Sequence, residues 1–154
     1  MDVATDQPTV KEVLARMDDG WASFSQAVHA VGPERLEHRL GENAWTRKQM
    51  LAHIAIWHDL TVERLNEHAA TGKPPEAEED EDDVNARAAR GAVGRTSGEV
   101  ILAMEESFRR LRREVARISK EQLRADDSWA SAVIAANTYR HYAEHLSDLD
   151  GRSA

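Results

Sequence analysis

The sequence has 154 residues, no cysteine and a formal net charge of −8 at pH 7. Its length suits one domain with a substantial core, over residues 1–154, and no apolar run of about 18 residues predicts a membrane span. The lack of cysteine excludes disulfides, thiolate metal ligands and a protein thiol nucleophile. It also suits the cytoplasm, as does an N-terminus without the basic and apolar regions of a signal peptide.

The acidity is concentrated in one segment. Residues 76–83 carry seven carboxylates and no cation, and the rest of the chain is close to neutral. Such a block of like charge predicts a solvated linker over about residues 73–83. A calcium site needs spaced ligands and a turn glycine, which the segment lacks. The sequence also lacks the basic patch of a nucleic-acid binder, so we expect neither nucleic acid nor a membrane as a partner.

The first predicted helix runs from Val10 to Val31. Its apolar residues follow helical spacing and are Val13, Leu14, Met17, Trp21, Phe24, Val28 and Val31. Thr9 and Glu12 predict a capping box at its start, and Gly32 predicts its end. Gly20 is a weak point, since glycine inside a helix costs about 1 kcal/mol relative to alanine.

The second helix has the clearest predicted start. Thr46 and Gln49 form a capping-box pattern, and Trp45 is placed to pack on Met50 as a hydrophobic staple. The helix should end near Gly72, before two consecutive prolines.

Three further helical stretches follow. A short one is predicted over residues 83–89, with a break marked by Gly91 and Gly94, and a third long helix begins at the capping box of Thr96. A fourth long helix begins around Asp127 or Ser128 and extends to Gly151. Because no strand-like alternation of useful length appears, four long helices predict an all-α four-helix bundle.

Three histidines are candidates for one metal site. His53 lies between Met50 and Trp57 on the apolar face of the second helix, and His141 and His145 are one turn apart on the fourth. Three imidazoles of this kind suit a divalent cation with open coordination positions. The alternative is that they are hydrogen-bonded core residues, since an HxxxH pair also arises by chance.

The other four histidines fit less well. His29, His38 and His68 lie near helix ends or in linkers and are expected to be solvated, and His58 lies on another face from His53. The HxxEH pattern at 141–145 matches inverzincin proteases only formally, because just nine residues follow it.

Two segments resemble a known family. Residues 45–57 read WTRKQMLAHIAIW and residues 137–146 read NTYRHYAEHL. They are similar to the Trp-Ser/Thr…Leu-x-His…Trp segment and the HxxxH helix of the DinB-like superfamily. That superfamily includes the YfiT-like proteins and the maleylpyruvate isomerase N-terminal domains, and the resemblance covers nearly the whole chain.

The resemblance implies an up-down-down-up bundle in which His53, His141 and His145 bind a divalent metal, nickel or zinc. It also implies a homodimer and, as in the superfamily's S-transferases, a low-molecular-weight thiol as a possible cosubstrate. Glu144 is a candidate to orient a histidine ligand. Trp57 and Asn85 are candidates for the pocket, with core packing and a cap or turn role as their respective alternatives.

Three functions remain open from the sequence. The first is a divalent-metal-dependent enzyme acting on a small molecule, of the thiol-dependent S-transferase, isomerase or hydrolase type, in which bound water or thiolate is the nucleophile. The alternative is a metal-containing module that binds a small molecule or protects against stress without turnover. The third is a structural bundle whose histidines only donate and accept hydrogen bonds in the core.

Overall fold

A computed structural model describes residues 7–42, 44–76 and 79–149. The regular secondary structure in these ranges is helical, apart from one isolated bridge between Arg39 and Thr46. The helices are α1 (Val10–Val31), α2 (Pro33–Leu36), α3 (Arg47–Thr71), α4 (Glu81–Val93), α5 (Ser97–Ala116), α6 (Lys120–Asn137) and α7 (Tyr139–His145), followed by a 3₁₀ turn (Leu146–Leu149). The all-α prediction is confirmed. None of these helices combines the length and the apolarity needed to cross a membrane.

Three of the predicted helix starts, those at Thr9, Thr46 and Thr96, are confirmed by their caps. The side chains of Thr9, Thr46 and Thr96 each accept a hydrogen bond from the backbone N–H three residues later. At Thr46 and Thr96 the reciprocal bond from the threonine N–H to the Gln or Glu side chain is also present, which completes the capping box. The α3 helix ends at Gly72, whose φ of 74° is left-handed as a C-terminal glycine cap requires.

The α4 helix is longer than predicted. It begins at Glu81, capped by the Asp80 side chain, and continues through Gly91 to Val93. Its first turn is formed by the last three residues of the acidic segment, where carboxylates interact favourably with the positive end of the helix dipole. The last three residues of the predicted linker are therefore helical, because their carboxylates stabilise the first turn. Gly91, where a break was predicted, stays helical, and Gly94 caps the end.

The predicted fourth helix is divided into several pieces. Residues 125–128 interrupt α6, and three consecutive residues, Asp126 to Ser128, are left-handed with φ between 55° and 62°. The predicted start therefore falls inside this interruption. The Asp126 carboxylate accepts a hydrogen bond at 2.9 Å from the His68 ring on α3, which holds the unusual turn. A second break at Thr138 separates α6 from α7, and the predicted end at Gly151 lies outside the described residues.

The core lies between α1, α3, α5 and the segment formed by α6 and α7. Its aromatic centre joins α1 to α5 and α7. The Trp21 ring stacks on Phe108 with centroids 4.3 Å apart, and the Phe24 ring lies 5.2 Å from that of Tyr142. This packing fixes α7 against α1.

Gly20 permits the closest contact between α1 and α7. A Cβ atom at this position would lie 2.9 Å from the Tyr139 Cβ and 3.1 Å from the Tyr139 Cα, which is closer than unstrained packing allows. The sequence predicted only a weak point in the helix. The structure shows that the missing side chain lets the first residue of α7 approach the backbone of α1.

We expect Gly20→Ala to lower the free energy of unfolding by up to about 2 kcal/mol. Overpacking costs about 1–3 kcal/mol, against a gain of about 1 kcal/mol in helix propensity. Urea unfolding followed by circular dichroism measures the change.

Gly91→Ala is the matched control. No atom lies within 4 Å of a Cβ added there, so the same substitution should raise the free energy of unfolding by up to about 1 kcal/mol. If both variants change stability by the same amount, the close contact at Gly20 is not what selects glycine.

Candidate metal centre

The structure brings the three predicted histidines together. The α3 helix supplies His53, and α7 supplies His141 and His145. One nitrogen of each ring lies within 4.8 Å of the others, and His53 Nε2 is 2.8 Å from His141 Nε2. The rings of His53 and His141 are buried and that of His145 is half-buried. Within the described residues this is the one such group of three histidine or acidic side chains.

Local sequence explains why His53 faces inward. It lies on the buried face of α3 with Met50 one turn before it and Trp57 one turn after it. The Trp45 ring, just before the helix, lies with its centroid 5.4 Å from that of His53. The α3 helix therefore presents the imidazole within an apolar and aromatic surface.

The proton on the His53 ring is fixed by Asn85 on α4. The indole N–H of Trp57 lies 2.7 Å from Asn85 Oδ1, and since an indole N–H only donates, the atom it faces must be the amide oxygen. That oxygen also lies 2.9 Å from His53 Nδ1, which must therefore carry the proton and donate it. The lone pair of His53 therefore lies on Nε2 and points toward His141 Nε2, 2.8 Å away.

Asp148 does the same for His145. Its carboxylate Oδ2 lies 2.9 Å from His145 Nδ1, so the proton resides on Nδ1 and the lone pair on Nε2. The buried Arg47 side chain donates to the Asp148 carbonyl oxygen at 2.7 Å and anchors the 3₁₀ turn to the start of α3. The sequence analysis missed Asp148, although its spacing of three residues from His145 was a signal that could have found it.

The third histidine lacks such a partner. His141 Nδ1 is buried and has no hydrogen-bond partner among the described residues. Burial of a polar nitrogen in this way has a cost in free energy. Without a metal, the other ring nitrogen, Nε2, can donate only to the His53 Nε2 lone pair 2.8 Å away, and a bound cation would replace that hydrogen bond.

The two more buried imidazoles are neutral at pH 7. Burial, together with the neighbouring His145, lowers the pKa of His53 from 6.5 to about 4. Burial also lowers the pKa of His141 to about 3, with further contributions from His53, His145 and His58. Neutral imidazole is the form that binds a metal, and three such nitrogens suit zinc, nickel, copper or iron. The residues therefore fit a divalent transition-metal ion.

A cavity of about 590 Å³ opens at the three histidines. Besides these rings, residues of α3, of the start of α4 and the loop before it, of the end of α6 and of α7 line the cavity. They are Trp57, Arg64, Glu79, Glu81, Val133, Ala136, Asn137 and Glu144. A volume of this size is typical of small-molecule sites. The metal-binding side of the proposed centre therefore faces space that a small molecule could enter.

The candidate pocket residues have distinct positions. Trp57 lines the cavity, whereas Asn85 lies behind His53 as its hydrogen-bond partner. Glu144 is exposed at the cavity rim, and within the described residues no hydrogen bond joins it to a triad histidine. The carboxylate that orients a triad histidine is that of Asp148.

His58 is fully buried in a network of its own. The Ser107 hydroxyl donates to the Met104 carbonyl at 2.8 Å, so its oxygen accepts from His58 Nδ1, also at 2.8 Å. His58 Nε2 then accepts from the Tyr142 hydroxyl at 2.6 Å. Burial lowers the pKa of His58 to about 3 and raises that of Tyr142 well above its usual value. Both groups are therefore neutral and every polar atom of the network has a partner.

The expectation that His68 is solvated is wrong. Its ring is buried, with Nε2 2.9 Å from the Asp126 carboxylate and the ring centroid 4.9 Å from that of Trp129. The reason is that the interruption of α6 folds back over the end of α3. His29 and His38 are exposed as expected, and His29 lies 3.4 Å from the Glu105 carboxylate.

Comparisons with known proteins agree with this architecture. A family model described as the DinB superfamily matches residues 16–148. A crystal structure of a protein from Streptococcus pneumoniae is similar, with a TM-score of 0.74 over 95% of this chain and 92% of that one. The two sequences are 12% identical, so the likeness concerns the fold. No curated protein sequence matches the chain at a significant level.

We expect the stability of the metal-free protein to fall in acid partly through His58. The unfolded state binds a proton near pH 6.5, whereas the folded state keeps His58 neutral until about pH 3, so stability is complete above pH 6.5 and is lost as the pH falls. For this group the loss between pH 6.5 and 5 is about 1.5 kcal/mol. Urea unfolding of the wild type and of His58→Gln at both pH values measures it.

The variant should be less stable at pH 7 because the network is broken, yet its stability should fall less between the two pH values. An identical fall in both proteins would show that His58 does not contribute to acid sensitivity.

Proposed function

Because the chain belongs to the DinB superfamily, we propose that His53, His141 and His145 bind one divalent metal ion, zinc or nickel, and that this centre acts on a small molecule in the adjoining cavity. The observation that carries the proposal is the fixed proton on two of the rings. Asn85 and Asp148 accept from the Nδ1 atoms of His53 and His145, which leaves both Nε2 lone pairs for a cation.

The chemistry of the ligand set favours catalysis over a closed structural site. Three neutral imidazoles leave the full charge of a cation uncompensated, and three protein ligands leave coordination positions open. A bound divalent ion would supply Lewis-acid activation of a water molecule or a thiol.

The protein groups around the centre have supporting roles. The Asn85 and Asp148 side chains hold two rings in orientation, and the Trp57 indole N–H donates to the same Asn85 oxygen as His53. A chain without cysteine cannot provide its own thiol nucleophile, so a thiol-dependent transfer would use a low-molecular-weight thiol from solution. We propose this transfer, or the corresponding hydrolysis, as the reaction class.

We expect His141→Ala to remove the metal. Untagged wild-type protein should contain close to one equivalent of zinc or nickel by elemental analysis, and the variant should contain almost none. Loss of a direct ligand should weaken affinity by more than the roughly 10–100-fold that loss of an orienting partner costs.

His29→Ala, which removes an exposed histidine, is the control and should keep its metal. If the wild type takes up neither metal after reloading, the centre does not exist as proposed. Where metal is bound, turnover of a low-molecular-weight thiol with an aryl halide, lost in His53→Ala, distinguishes an enzyme from a module that only binds.

Asp148→Ala should weaken metal binding by about 10–100-fold while leaving one ion per protein. The variant loses the acceptor that keeps the His145 proton on Nδ1, but the Arg47 contact to the backbone carbonyl is kept. Competition with a chromogenic chelator measures the affinity. Glu144→Ala, which removes an exposed carboxylate of α7, should change the affinity less than about twofold. Equal effects of the two variants would contradict the assigned role of Asp148.

A further inference from the structure

Arg64 is the cationic side chain among the residues that line the cavity at the three histidines. It lies seven residues after Trp57 on α3, which places both on one face of the helix. The Arg64 guanidinium carbon lies 5.4 Å from the centroid of the Trp57 ring. A guanidinium this close to an indole is held by cation–π attraction while its N–H donors stay available at the edge.

Arg64 forms no ion pair within the described residues, although the carboxylates of Glu63, Glu67, Glu76 and Glu79 line a smaller neighbouring cavity with it. Within the ranges that the structure describes, no carboxylate oxygen lies within 4.0 Å of its guanidinium, whereas Glu79, the neighbouring cavity carboxylate, pairs with Arg87. Arg64 is also half-buried, so water compensates its charge only in part. An oxyanion in the cavity would supply the missing partner, with the bidentate geometry that guanidinium favours.

The carboxylates at the cavity rim limit the positions that such an anion can occupy. Glu81 and Glu144 are exposed carboxylates at the cavity rim and repel an anion placed beside them. The favourable position is therefore next to Arg64. Trp57, on which the guanidinium rests, is four residues from His53, a rise of about 6 Å along the helix axis.

We propose that Arg64 binds the oxyanion group, such as a carboxylate, of a small organic anion whose other end reaches the three histidines. This rests on the proposed metal centre and specifies its substrate class. The ligand carries a metal-binding group at one end and an anionic group at the other. Arg64 is thus a specificity residue that selects charge at one end of the cavity.

The test compares two thiols of equal length that differ in charge. The protein is loaded with cobalt(II), and 4-mercaptobutyrate or the neutral 4-mercaptobutyramide is titrated while the thiolate-to-cobalt absorption is followed. The wild type should bind the carboxylate about tenfold more tightly, the low end of what a charge-assisted hydrogen bond contributes. Arg64→Met should remove this preference and leave the affinity for the amide within about twofold.

Two further variants make the result specific. Arg64→Lys keeps the charge but loses the planar fork, and it should keep part of the preference. Arg109→Met removes an exposed arginine of α5 that does not line the cavity, and it should keep the whole preference at the same net charge. Equal binding of both thiols to the wild type, or an equal effect of the two methionine variants, would overturn the proposal.

The outcome also separates this inference from the metal centre. If the protein takes up no cobalt, the proposed function fails, and calorimetry of the metal-free protein with the same two thiols then decides the role of Arg64. A preference for the carboxylate that Arg64→Met abolishes supports the anion site. Equal binding of both thiols, or binding of neither, rejects it.

Discussion

The arrangement around the centre follows from the packing of three imidazoles between α3 and α7, two of them buried and neutral. A buried ring with two polar nitrogens needs a partner on each, and here Asn85 and Asp148 each occupy one nitrogen of a ring. One nitrogen of each ring lies within 4.8 Å of the others, and His53 Nε2 lies 2.8 Å from His141 Nε2. The same burial that lowers the pKa of His53 and His141 keeps their lone pairs available. The burial that keeps these two rings neutral thus also keeps them in the form that could bind a cation.

Breaks in the helices position the site as much as the helices do. The interruption at residues 125–128 lies at the start of the predicted fourth helix, and the break at Thr138 separates the rest of α6 from α7. The first break closes over His68, and the second precedes the turn that carries His141 and His145. The final 3₁₀ turn brings the Asp148 carboxylate back to His145. Arg47, at the start of α3, donates to the Asp148 carbonyl oxygen and holds this turn in place.

Sequence reasoning succeeded where the signal was local. The capping boxes at Thr46 and Thr96 involve neighbours three residues apart, so the helix starts could be predicted. The triad needed two separated segments, and the family resemblance supplied the link between them. Burial of His68 could not be predicted, because it depends on a left-handed turn that aspartate tolerates but no propensity requires. The position of Arg64 in the cavity could not be predicted either, because residues of other helices form much of that cavity.

The contact at Gly20 has a consequence for the geometry of the three histidines. Tyr139, which touches α1 there, begins the short helix that carries His141 and His145, while His53 lies on α3. The side-chain volume at position 20 therefore affects where α7 lies, although Gly20 has no side chain and lies on neither of these helices. A methyl group there would displace α7 from α1 and so change the distances between His53 and the two histidines of α7.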